Sequence, residues 1–240
     1  MSLMIKIRLA VVAMLILALV IPISGCGSNE SSNESGKDVM ARMMKMIPAS
    51  AEDFSFYNFK AYREDNRLMN LLSESNHEDS GPTLYYYIKT NNDYMGFNDD
   101  IYLWIYEGDV KLHTDPGTDP SYKYDSYEYK GVIITVEGDY DEAHAVVANT
   151  FISGYVDHVK ECIDVIVGDA PSFYDHSGYK EILNHLHDGL NMEIWDASGY
   201  SEDIIAEGSS TIFVGNGFQT IYVTITKDGN FLESTEFQPE

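Results

Sequence analysis

The last fifty residues constrain the fold most. Met192 to Trp195, Thr211 to Val214, Thr220 to Thr226 and Phe231 to Phe237 alternate apolar with polar residues at the two-residue period of half-buried strands. Lys227-Asp228-Gly229-Asn230 offers a turn between the last two. Strands joined by such short turns pair antiparallel, because a parallel neighbour needs a crossover of a dozen residues or more. This tail therefore commits the chain to an antiparallel sheet, and the rest must supply what covers it.

Upstream, strands and helices are mixed. Asp38 is positioned to cap a helix through Met46, with Val39, Met40, Met43, Met44 and Ile47 close to one face. Phe54 to Lys60 alternates as an aromatic strand, and Tyr62 to Ser75 reads as a helix carrying Leu68, Met69, Leu71 and Leu72. Thr83 to Lys89 and Ile101 to Tyr106 are expected strands on either side of a polar connector, Asn91 to Asp100. The second turns at Glu107-Gly108-Asp109 into Val110 to His113, and Asp115 to Pro120 is a loop. Tyr122, Tyr124, Tyr127 and Tyr129 precede the β-branched strand Val132 to Glu137, and Ala143 to Gly154 bends near Asn149. Val156 to Val167 has helical spacing at Val159, Cys162, Ile163 and Ile166, and Gly168 to Pro171 stops it. Ser177 to Leu186 is a further short helix. The expected fold class is α+β, a mainly antiparallel sheet with helices packed on one face, in a single domain over residues 38–240.

The start of the chain belongs to a different class. Lys6 and Arg8 precede an apolar run, Leu9 to Pro22, which ends in Ile23-Ser24-Gly25-Cys26. A spanning helix needs roughly 20 apolar residues, so this run fits the apolar region of a signal peptide instead. Ile-Ser-Gly-Cys resembles the lipobox of bacterial lipoproteins, in which cleavage between Gly25 and Cys26 leaves the cysteine to receive a diacylglyceryl group. The resemblance implies a signal peptide over residues 1–25, lipidation at Cys26 and a product held at the cell membrane on its extracytoplasmic face. Residues 26–37 contain a repeated Ser-Asn-Glu-Ser and no apolar residue beyond the cysteine, as a flexible tether would.

Loss of residues 1–25 removes Lys6 and Arg8, leaves 215 residues and takes the formal charge from −24 to −26. Such an acidic surface repels phosphate backbones and anionic head groups, which argues against nucleic acid as a partner. With Cys26 lipidated, Cys162 has no disulfide partner and is expected as a buried thiol. The fold must then rest on its apolar core.

Several dispersed pieces resemble an uncharacterised domain-of-unknown-function family of secreted and lipid-anchored bacterial proteins. They are Ile47-Pro48-Ala49, Tyr62-Arg63-Glu64-Asp65, Tyr129-Lys130-Gly131-Val132, Phe151-Ile152-Ser153-Gly154, Val159 to Ile163 and Pro171-Ser172. The resemblance implies a sheet-based extracytoplasmic domain and brings no catalytic residue with it.

Chemical motifs are sparse. There is no G-x-S-x-G elbow, H-E-x-x-H helix or glycine-rich phosphate loop. Ser153 is the nearest approach to a nucleophile but lacks the flanking glycines. Met40, Met43, Met44 and Met46 could ligate Cu(I) through soft thioethers, although methionine is also an ordinary core filler. His185, His187 and Asp188, with His176 nearby, form a metal-like cluster that diverges if carried on a helix. Calcium needs crowded oxygens; Asp93, Asp99 and Asp100 are its first candidates and Asp139 with Asp141 the next, without EF-hand spacing. No cofactor is implied.

The leading expectation is a non-enzymatic, lipid-anchored envelope protein that binds or scaffolds an extracytoplasmic partner. Capture of a sugar or cation by tyrosines and carboxylates is the second. An enzyme of a type that these motifs do not declare is the third.

Overall fold

The computed structural model describes residues 34–74, 92–98, 100–106, 124–137, 141–199, 201 and 203–239. The expected strands Thr83 to Lys89 and Val110 to His113, the turn at Glu107 to Asp109 and the Asp115 to Pro120 loop lie outside the described residues, as do the signal segment, Gly25, Cys26 and most of the tether.

Helix α1, Gly36–Met44, starts from Ser35 rather than Asp38. Ser35 Oγ accepts the Asp38 N–H at 3.2 Å and the Asp38 carboxylate accepts the Ser35 N–H at 3.3 Å, a reciprocal box that satisfies two helix-end donors. Val39, Met40, Met43 and Met44 are buried on its inner face. Strand β1, Asp53–Asn58, starts one residue before the expected span and ends two residues short of its end. Asn58 ends it by accepting the Ala61 N–H at 3.0 Å, which starts α2, Phe59–Glu64. The expected helix from Tyr62 to Ser75 is thus two helices, α2 and α3, Asn66–Glu74, parted by Asp65 in extended conformation. Asp65 accepts the Arg67 N–H at 2.9 Å, and such a local bond competes with a continuous helix.

The polar connector expected at Asn91 to Asp100 is largely a strand, β2, Asn92–Phe97. It runs through a tight turn into β3, Ile101–Tyr106, where Asn98 Oδ1 accepts the N–H groups of Asp100 and Ile101 at 3.0 and 2.8 Å. Two hairpins follow: β4, Tyr124–Tyr129, with β5, Val132–Glu137, and β6, Glu142–Val147, with β7, Thr150–Tyr155. Lys130 and Gly131 turn the first with φ of 50° and 83°, the left-handed pair of a type I′ turn, which matches the strands' own twist. Helix α4, Val156–Ile166, a 3₁₀ turn at Phe173–Asp175 and α5, Ser177–His185, precede the final meander. That meander comprises β8, Asn191–Asp196, β9, Ile204–Phe213, β10, Gly217–Thr226, and β11, Phe231–Pro239. The expected strand at Thr211 to Val214 is only the end of β9, whose Gly208-Ser209-Ser210 centre breaks the apolar alternation.

All eleven described strands form one antiparallel sheet in the order β11-β10-β9-β8-β1-β2-β3-β7-β6-β5-β4. Two meanders, β4 to β7 and β8 to β11, thus flank the early strands. β1 is the junction, paired with β2 on one side and with β8, well over a hundred residues later, on the other.

Alternate residues along a strand point to opposite faces, and here each face has its own core. Phe54, Phe56, Tyr94, Leu103, Ile152, Met192 and Ile194 join residues of α1, α4 and α5 in the larger one. Tyr57, Met95, Phe97 and Trp104, from the other phase of the same strands, join Phe59, Tyr62 and Leu68 of α2 and α3. Tyr57, Phe97, Tyr102 and Trp104 stack in a row with centroids 5.6–5.9 Å apart. The expectation that every helix shares one face is corrected by this second core. The cause is Asn58: it begins α2 directly at the end of β1, where Phe59 falls on the Tyr57 side.

Candidate functional site

Where α2 and α3 no longer cover it, the second face turns polar. Register aligns Asp53 of β1, Trp195 of β8, Glu207 of β9 and Thr224 of β10 in one row across four strands. Ser55, Glu193, Ser209 and Tyr222 form the next. Glu52, Asp53, Glu193, Trp195, Asp196 and Glu207 line a cleft of about 560 Å³ above these rows. Five of the six are carboxylates and none is basic, so the cleft attracts cations.

The carboxylates differ in environment. Both Glu207 oxygens are held, one by the Trp195 indole N–H at 3.2 Å and the other by the Thr224 hydroxyl at 3.0 Å. Asp196 accepts the Ser198 N–H at 2.8 Å, and bonding from Ser198 holds its pKa below the usual carboxylate range. Glu193 is pushed the other way: burial raises its pKa, the charge of Asp53 adds to this, and a hydrogen bond with Ser55 offsets part of it. The Tyr57 hydroxyl, raised first by burial, also feels Glu193. The site is tied to the main chain just before β1 as well, since the Asp196 N–H donates to the Glu52 carbonyl at 2.7 Å.

The residues singled out from sequence do not meet here. Asp93 lies on β2 in an ion pair with Arg63, Asp100 lies 3.7 Å from His158, and Asp99 is outside the described residues. The strand β2 separates the two aspartates that a loop would have gathered. Asp139 is outside the described residues, and Asp141 sits in a turn with φ of 53°, its carbonyl accepting the Val156 N–H. His185 stacks on Phe231 with centroids 3.8 Å apart, the His176 ring lies tilted against Tyr179 at 4.1 Å, the His187 N–H donates to Ser210 and Asp188 accepts the Gly36 N–H. Among the described residues no group of three or more His, Cys, Asp or Glu is arranged to hold a metal ion.

Met40, Met43 and Met44 are fully buried in the larger core, with Met46 packed against it. Cys162 is a buried free thiol whose pKa burial pushes far up, so it is a poor nucleophile at neutral pH. Tyr129 donates to Asp164 at 3.0 Å, and Lys130 bridges Asp164 and Asp169, which pins the β4–β5 hairpin to α4. Tyr127 lies under Lys160, and Tyr122 is outside the described residues. Ser153 Oγ lies 3.1 Å from His144 Nδ1, whose Nε2 is 3.8 Å from Glu137, too far for a hydrogen bond. β7 is paired on both sides, so its main-chain donors serve the ladder rather than an oxyanion.

No family model matches the chain. Over 188 residues, 74% of its length, it is 24% identical to the uncharacterized protein MJ1281 of Methanocaldococcus jannaschii. That alignment spans only 17% of the archaeal protein. In fold it is similar to TP0453 as solved in crystal forms III and IV. The TM-score is 0.46 to each, with 7% and 8% sequence identity. The superpositions cover 78% and 76% of this chain and 80% and 79% of those chains. No helix among the described residues is long and apolar enough to cross a membrane.

Proposed function

We propose that the protein is a non-enzymatic binding module, lipid-anchored through Cys26 at the extracytoplasmic face of the cell membrane, and that its acidic cleft receives the cationic part of its partner. Residues 38–240 work as the single binding domain and residues 26–37 as its tether. The observation that carries the reading is the convergence of five carboxylates around one indole, without a basic residue in the lining. Two features suit an organic cation better than a bare metal ion. Trp195 offers an aromatic ring for cation–π contact, and Glu207 already has both oxygens engaged.

A small cationic ligand, rather than a basic segment of an envelope protein, is the second reading, and the size of the cleft favours it. A thermal-shift series with spermidine, a lysine-rich peptide and calcium separates these. Ligand that binds the native state raises its stability, by about 2.7 kcal/mol at a hundredfold excess over Kd. A shift that is lost in Glu207→Gln/Asp196→Asn supports the cleft; no shift with any of the three sinks it. The anchor is tested independently by Cys26→Ser, which is expected to abolish lipid label and leave the precursor uncleaved. Normal processing of that variant would remove the lipoprotein reading.

A further inference from the structure

β11 forms one margin of the sheet, and among the described residues its strand neighbour is β10. All nine of its residues are exposed, Phe231, Leu232 and Phe237 among them. Natural edge strands are usually guarded by lysines, bulges or prolines. Here no lysine or bulge interrupts the strand, Glu233 and Glu236 are its charged residues, and Pro239 stands only at its end.

The direction of its main-chain groups follows from one bond and the register. Thr226 N–H donates to the Asn230 carbonyl at 3.0 Å, and Leu232, Ser234 and Glu236 lie opposite Thr224, Tyr222 and Thr220. Bonded and non-bonded pairs alternate along an antiparallel ladder. Even-numbered residues of β11 therefore bond to β10, whereas Phe231, Glu233, Thr235 and Phe237 turn their N–H and C=O groups outward. Pro239, which has no N–H to offer, falls on the same outward phase.

In Phe231-Leu232-Glu233-Ser234-Thr235-Glu236-Phe237 the two aromatics stand symmetrically, three residues either side of Ser234. Two copies paired antiparallel about that residue set Phe231 opposite the partner's Phe237, Glu233 opposite the partner's Thr235 and Leu232 opposite the partner's Glu236. Every outward N–H from Phe231 to Phe237 then meets an outward carbonyl, the aromatics pair on one face, and no glutamate directly opposes a glutamate. Other registers are worse. Centring on Glu233 or Glu236 sets like charges face to face, and centring on Thr235 pairs Phe231 with a proline that cannot donate. For a second copy, the charge pattern thus selects this register, and the symmetric Phe231 and Phe237 give that copy an aromatic partner at both ends.

We propose that the outer edge of β11 is a homodimer surface, on which a second copy of this chain pairs antiparallel about a two-fold axis through Ser234, continuing the sheet across both. A two-fold contact is closed, so it occupies the edge once and does not propagate. Edge pairing through one strand belongs to the small-interface class, so the dimer is weak. The formal charge of −24 on each chain opposes it, so salt strengthens it.

The experiment uses the full chain in detergent, by light scattering on a sizing column at high protein concentration. Runs at low salt and at about 1 M salt, where the screening length is roughly 3 Å, are compared. The expected result is a monomer that shifts to dimer mass as salt rises. Under mild oxidation Ser234→Cys is expected to give a disulfide dimer well above the parent's background from Cys26 and Cys162, and Glu233→Cys and Thr235→Cys are not. Thr235→Pro removes an outward N–H without touching the β10 ladder and is expected to stay monomeric with its unfolding transition retained. A parent that is monomeric at both salts, cross-linking through Glu233→Cys in preference to Ser234→Cys, or an open-ended assembly in place of a dimer would each overturn the proposal.

Discussion

Glu193 and Ile194 are neighbours on β8 and belong to different media. Ile194 is fully buried among the larger core, beneath helices that settle on the Phe54 side of the sheet. Glu193 points the other way, into a cleft where its charge is partly desolvated and set beside other carboxylates. The same comparison holds for whole faces. One face is closed by three amphipathic helices over a largely apolar core, with Ser210 the buried polar residue in the row of Met192 and Ile221; the other is closed by the short pair α2 and α3 at one end, where Met95, Trp104, Phe213 and Phe218 gather. Where helix cover is complete, the face serves stability. Where it stops, the strand residues of that phase are polar and carboxylates line the cleft above them.

The largest expected effect lies on the covered face. Phe54 is fully buried, and its ring packs against Phe173 and over Gly96. Phe54→Ala is expected to cost about 3–5 kcal/mol, read as a fall in the urea midpoint at unchanged slope. Phe59 is equally buried but belongs to the smaller core, where fewer neighbours fix the shape and collapse around the lost ring is easier. Phe59→Ala is therefore expected near the lower end, about 3 kcal/mol. If the two were equal, or reversed, the second core would have to be counted as a full structural core and the asymmetry of the faces abandoned.

The covered face was largely legible in the sequence and the open one was not. Strands β3 and β5 and helix α4 are found where alternation and helical spacing put them, because each buries a periodic set: Ile101, Leu103 and Ile105 on β3, and Val159, Cys162 and Ile163 on α4. Alternation does not say which strand lies beside which. The cleft needs Asp53 and Trp195 to be opposite one another, and they are separated by most of the folded chain. The outward phase of Met-Glu-Ile-Trp-Asp was readable as polar, but nothing local brings Glu52, Asp53 and Glu207 to it. Conversely, Asp93, Asp99 and Asp100 were close in sequence and looked like a loop. Tyr94 and Met95 bury on opposite sides, and the strand they form carries Asp93 to Arg63.

A smaller effect probes how the open face is held. Thr224 donates to Glu207 at 3.0 Å while Trp195 holds the other oxygen. Thr224→Val keeps the shape and the β-branching but removes that donor. It is expected to cost about 1 kcal/mol and to loosen binding of a cation in the cleft, measured as a reduced thermal shift with spermidine. Loss of stability without any change in the shift would mean that Glu207 supports the sheet and takes no part in the site.

The smallest effect has the opposite sign, and it separates the faces most cleanly. Glu193 carries a raised pKa because burial and Asp53 disfavour its charged form. The stability linked to this group is fully present below its unfolded pKa and is lost as pH rises through the higher folded value. Glu193→Gln cannot ionise, so it is spared that loss. Its Tm should match the parent's well below the ordinary glutamate range and exceed it at neutral pH, by on the order of a few tenths of a kcal/mol, as expected of a partly exposed site. A cation bound in the cleft restores the charged form, so spermidine should narrow the neutral-pH difference from the parent's side. No core substitution on the opposite face can reproduce that pattern, since Ile194 and its neighbours do not titrate. A Glu193→Gln variant less stable than the parent at neutral pH would show that the carboxylate is bound rather than strained there, and the polar rows would then belong to the architecture of the sheet.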